Sequence, residues 1–147
     1  MQSIETAAWN FQTNMVVSIL KDRFGYDVVM QTDEQDRADF TDRIVYINSR
    51  ARPEYRFYTI LHEYGHVEIN EVGGDSLEES VPCYKRFRKT RSARSHSGKI
   101  ATIVEEIEAW RRGQLLAKSQ LLYINEEKYE KCMNSSLMSY IEWAAGV

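Results

Sequence analysis

The chain has 147 residues, 43% of them apolar and 12% aromatic. That length and composition suit one domain with a real core and exclude wholesale disorder. Charged residues make up 28% and the formal net charge is −3, which excludes a globally basic nucleic-acid binder but leaves room for a local basic patch. No apolar run approaches the roughly 18 residues of a membrane helix. The opening Met1-Gln2-Ser3-Ile4-Glu5 lacks the basic-then-apolar build of a secretion signal. No membrane association is therefore expected. Cys83 and Cys132 are the two cysteines, too few for a disulfide framework, and a reducing cytoplasm is the expected compartment.

A first helix is predicted from about Thr6 to Phe24, with Trp9, Val16, Ile19 and Leu20 at helical spacing, Gln12 and Arg23 as polar interruptions, and Gly25 at its stop. Tyr26 to Met30 reads as a strand, Gln31 to Asp39 as a polar turn, and Arg43 to Asn48 as a second strand. Pro53 suits the first turn of a helix that carries Phe57, Ile60, Leu61, Tyr64 and Val67 and ends near Asn70. From Glu71 to Gly98 the pattern is lost, and residues 71–98 read as a flexible basic connection within a single domain spanning 1–147. Lys85 to Lys99 holds seven Lys/Arg and no Asp or Glu, and that +7 against the whole-chain −3 leaves −10 on the other 132 residues. Ile100, Ile103, Val104, Ile107 and Trp110 restart a helix that continues to about Ser119, and a last helix follows Tyr123.

His62-Glu63-Tyr64-Gly65-His66 forms an HExxH motif on the predicted central helix. At about 100° per residue, His62 and His66 stand about 40° apart on one face, so both imidazoles can reach one ion. Zinc suits two nitrogens, a carboxylate oxygen and an open water position. Glu63 points in a neighbouring direction, where it could take a proton from the metal-bound water and later deliver it.

A catalytic site needs a third protein ligand. Downstream candidates are Asp75, Cys83, His96, Glu105, Glu106 and Glu108. Cys83 and His96 belong to the basic connection, a poor place for a preorganised ligand. Relative to the apolar stripe from Ile100 to Trp110, Glu105 should face solvent, whereas Glu106 and Glu108 both border the buried side. Helical geometry does not choose between those two.

Ile44-Val45-Tyr46-Ile47-Asn48, the Pro53–Leu61 segment and His62–His66 together resemble the ImmA/IrrE metallopeptidases, in which a strand ending in Asn leads through a short polar connection to an HExxH helix. Glu105-Glu106-Ile107-Glu108-Ala109-Trp110 is similar to the acidic helix of that family. The resemblance covers roughly Phe11–Asn70 and Thr102–Lys118. It implies a gluzincin-type third ligand at Glu106, with Ala109 at the small position of the pattern. Trp110 departs from it, because Asp or Asn normally stands there to support a histidine.

The expected fold is α+β: a small zincin-like domain with a short antiparallel sheet packed on the HExxH helix and two or three further helices. The resemblance implies a zinc-dependent metallopeptidase that cleaves a protein or peptide substrate, such as a transcriptional regulator, with His62, His66 and Glu106 as zinc ligands and Glu63 as general base. A different class of function is also open, a weak or inactive zincin-like module. Such a module would bind nucleic acid or an acidic protein through Lys85, Arg86, Arg88, Lys89, Arg91 and Arg94, with Tyr84 and Phe87 available to stack on bases. The same segment reads equally well as a solvated loop or a lid over the cleft.

Overall fold

A computed structural model describes residues 2–33, 35–73, 75–90 and 94–147. Helix α1 (Ile4–Ile19) is capped by the Ser3 hydroxyl, which accepts from the Thr6 amide. It passes into a π-helical turn, Leu20–Phe24, that ends where Gly25 takes a left-handed φ of 75°. The two polar interruptions of the first predicted helix, Gln12 in α1 and Arg23 in the π-helical turn, have tertiary partners. Gln12 donates to the Tyr123 carbonyl at 3.0 Å and accepts from the Tyr123 amide at 2.6 Å, while Arg23 pairs with Glu68 at 2.8 Å.

Strands β1 (Asp27–Gln31), β2 (Arg37–Asp39) and β3 (Ile44–Asn48) form one sheet in the order β1-β3-β2. The sheet is mixed, not antiparallel as the sequence suggested. β1 runs parallel to β3, from Asp27 opposite Ile44 to Gln31 opposite Asn48, and only β2 is antiparallel to β3. The cause is β2 itself, a three-residue strand inside the stretch read as a turn. It reverses direction through a turn in which Asp39 Oδ1 accepts the Asp42 amide and Arg43 adopts φ 55°. That reversal delivers β3 to the middle of the sheet.

Helix α2 (Pro53–Val72) starts on Pro53 and is buried along most of Phe57–Ile69, so it is the central element. Val45 and Ile47 of β3 join Phe57, Tyr58, Ile60, Leu61, Tyr64 and Val67 in the main core. The stretch 71–98 is not without pattern. It carries α3 (Asp75–Ser80) and α4 (Tyr84–Thr90), and Leu77, Tyr84 and Phe87 pack on Ala101 as a second small core. With α5 (His96–Ser119) and α6 (Glu126–Ala145), five helices accompany α2 among the described residues, more than the two or three expected. The excess arises because α3 and α4 are too short, at six and seven residues, to show a period.

The face of α5 also differs from expectation. Ile100 and Ile107 are exposed, while Ala101, Glu105, Glu106, Glu108, Ala109, Trp110, Gly113 and Ala117 are buried. Glu105, expected in solvent, is only 5% exposed. Close packing outweighs the apolar stripe here. A Cβ on Gly113 would lie 2.4 Å from the Leu61 carbonyl oxygen, so small residues of α5 face α2 backbone to backbone. Among the described residues no helix is long and apolar enough to cross a membrane.

Candidate metal centre

The helical spacing of His62 and His66 points both Nε2 atoms to one place, 3.1 Å apart. The close crossing of α2 and α5 brings Glu106 to the same point. Its Oε2 lies 2.8 Å from His62 Nε2 and its Oε1 lies 3.0 Å from His66 Nε2. Among the described residues these three form the group of ligand atoms able to share one ion, all within 4.8 Å of one another. All three side chains are at most 14% exposed.

The electrostatics follow from that contact. Burial alone would raise the Glu106 carboxyl, yet its hydrogen bonds to His62 and His66 outweigh burial and hold it well below the usual carboxylate range. Burial alone would likewise lower His66, but the hydrogen bond to Glu106 and that carboxylate's charge raise it to about 9. Glu63 stands beside the pair, its Oε1 3.6 Å from His62 Nδ1, and burial pushes its carboxyl upward against the opposing pull of both histidines.

The group opens into a cleft of about 1120 Å³. One wall is the sheet side, with Asp36, Arg37, Ala38 and Asn48; the other is α6, with Cys132, Ser135, Ser136, Ser139 and Tyr140. Asp36 Oδ1 accepts the Asn48 amide at 2.6 Å, which ties the loop before β2 to the end of β3. The Tyr140 hydroxyl faces Glu106, and burial together with that carboxylate pushes its pKa up. Neither Asp36 nor the α6 wall was legible as part of a site. Asp36 sits in a polar turn, and nothing in the period of α6 tells which helix it will face.

Of the other ligand candidates, Glu108 points elsewhere. It accepts from Arg111 Nε at 2.8 Å and from Arg112 Nε at 3.0 Å. Glu105 is buried but outside the three-residue group. His96 opens α5, ten residues or about 15 Å of helix before Glu106. Cys83 donates its thiol to the Ser97 carbonyl at 3.5 Å. The side chain of Asp75 lies outside the described residues. In the basic segment Lys85, Arg86 and Arg94 are exposed, whereas Arg91 and the side chains of Arg88 and Lys89 lie outside the described residues. Tyr84 and Phe87 are 0% and 7% exposed, so their rings belong to the second core and offer no face to a base.

The chain matches no family model, no curated protein and no solved structure.

The donor set fits zinc on its own chemistry. Ligands about 2.0–2.1 Å from a tetrahedral ion stand about 3.3–3.4 Å from one another. The present separations of 2.8–3.1 Å therefore need only a few tenths of an ångström of spreading. Two imidazoles and one carboxylate would leave a fourth position open, and all three residues line the cleft.

Proposed function

We propose that the protein is a zinc-dependent metallopeptidase, in which His62, His66 and Glu106 hold the metal and Glu63 is the general base. The observation that carries this reading is the Glu106 carboxylate spanning both Nε2 atoms beside Glu63 at the wall of a peptide-sized cleft. The chemistry supplied by zinc at such a site is polarisation of a scissile carbonyl and acidification of a water. Glu63 takes the proton from the attacking water and returns it to the leaving amine. An extended peptide pairs with the outer edge of β2, whose Arg37 and Ala38 line the cleft, and the opposite wall of α6 holds its far side. The expected target is a regulatory protein, and the unpaired thiols of Cys83 and Cys132 fit a cytoplasmic setting.

The test is cleavage of a proteome-derived peptide library, with new termini read by mass spectrometry. The expected result is a defined set of cleavages, abolished by chelation and absent with Glu63→Gln. Cleavage that survives both treatments, or a zinc-loaded protein that cuts no peptide or protein, rejects the peptidase reading.

A further inference from the structure

We infer that Trp110 is a positioning residue for His62, fixing the plane of its imidazole by ring stacking; the inference rests on the metal-ligand reading of His62. The two rings lie nearly parallel, 9° apart, with centroids 4.2 Å apart. A ligating histidine ordinarily donates its second ring N–H to an acceptor, which fixes both tautomer and orientation. Here Nδ1 makes no hydrogen bond among the described residues, and Glu63 Oε1 at 3.6 Å stands beyond that reach. On that side Glu63, at 3.6 Å, does not fix the ring's rotation about its Cβ–Cγ bond. The indole face does.

Trp110 is itself held by rings. Tyr129 meets it edge-on at 5.3 Å and 76°, and Tyr58 meets Tyr129 at 5.4 Å and 89°. The Tyr129 hydroxyl donates to the Trp110 carbonyl at 2.5 Å. An aromatic column thus runs from the core, through α6 and α5, to the imidazole. The indole N–H is buried with no partner. A purely space-filling residue would not carry that orphaned donor, so what distinguishes tryptophan at this position is the area of its face. An imidazole that gives its lone pair to a cation gains positive charge, and an electron-rich indole face favours that form. The tryptophan thereby does by stacking what a hydrogen-bond acceptor at Nδ1 would do for a ligating imidazole.

The experiment compares wild type, Trp110→Phe and Trp110→Leu. Zinc affinity is read by competition with a chromophoric chelator, and the ring-proton shifts of His62 by NMR in the metal-free protein. In wild type those protons should lie upfield of their counterparts in exposed His96, displaced by the indole ring current. The expected order of zinc affinity is wild type, then Phe, then Leu, with roughly 10–100-fold lost at Leu and the upfield displacement shrinking in the same order. Should Trp110→Leu fail to fold by circular dichroism, Trp110→Phe decides alone, through a paired loss of ring shift and affinity. Zinc affinity equal in all folded variants overturns the inference while leaving the metal site standing. Absence of zinc binding in wild type with the ring shift intact overturns the ligand reading and the inference with it.

Discussion

A Cβ placed on Gly65 would lie 1.9 Å from the carbonyl oxygen of Ala109. This contact explains the site better than any feature of the ligands themselves. Gly65 precedes His66, and Ala109 follows Glu106 by one helical turn, so the point where α2 and α5 touch is also where imidazole meets carboxylate. A larger residue on either side would hold α5 away and leave Glu106 short of the histidines.

Gly65→Ala is therefore expected to destabilise the protein and weaken the metal site together. The clash is with backbone atoms, which cannot move aside as a flexible side chain could. Overpacking of this kind costs about 1–3 kcal/mol or more, and it exceeds the gain of about 1 kcal/mol from replacing glycine in a helix. Thermal unfolding and zinc affinity measured on the same sample check it. A variant as stable as wild type with unchanged affinity would refute the close-crossing account.

Glu108 provides the contrast with Glu106. Its carboxylate is held by Arg111 and Arg112, and Arg112 also reaches Glu68 at 3.5 Å and the Gly73 carbonyl at 3.1 Å. Glu108→Gln should lose about 1–3 kcal/mol of stability, because the guanidinium groups of Arg111 and Arg112 then lose the charged acceptor they share. Its zinc content should remain that of wild type. Loss of zinc at Glu108 with the fold intact would assign the ligand to the wrong glutamate.

Zinc uptake should release a proton at neutral pH. His66 is raised to about 9 by Glu106 in the metal-free protein, so it carries a proton there that coordination must displace. Apparent affinity should fall about tenfold for each pH unit below 9, and calorimetry in buffers of different ionisation enthalpy counts the proton. The same ion pair shapes stability without metal. The raised His66 contributes fully below 6.5 and loses its contribution as pH climbs to about 9, while the depressed Glu106 loses its own as pH falls below 4.5. A melting temperature of metal-free protein that is flat between pH 6.5 and 9 would contradict the pairing.

The α6 wall of the cleft should govern substrate entry without touching the metal. Ser139 is exposed and lines the cleft. Ser139→Trp should raise KM for any peptide the wild type cleaves, with zinc content and melting temperature unchanged, because exposed substitutions usually shift stability by only about 0.5 kcal/mol. Unchanged kinetics would place the peptide elsewhere.

How much of this was legible in the sequence differs by element. Helix α2 was readable nearly residue by residue, since Pro53 marks its start and its apolar positions recur at the helical period. His62, Glu63 and His66 came with it, because an i, i+4 spacing fixes their geometry locally. Glu106 required a partner helix: the apolar stripe of α5 put Glu106 and Glu108 at its buried border, where they lie, but it misplaced Glu105, and Ile100 and Ile107 lie outside while Gly113 and Ala109 lie inside. Small residues buried by close packing leave no hydrophobic signal. β2 and α4 are too short for periodicity, so the sheet's parallel pairing and the second core around Tyr84 were not readable. Trp110 was legible as an apolar position and as a departure from the resembled pattern, but its stack on His62 exists only once the two helices cross.

The most direct measurement is metal analysis of purified wild type, Glu63→Gln, His66→Ala and Glu106→Ala, each checked for folding. The account predicts close to one zinc per chain in wild type and Glu63→Gln, and clear loss in His66→Ala and Glu106→Ala. Full zinc in folded Glu106→Ala, or none in wild type, would contradict it.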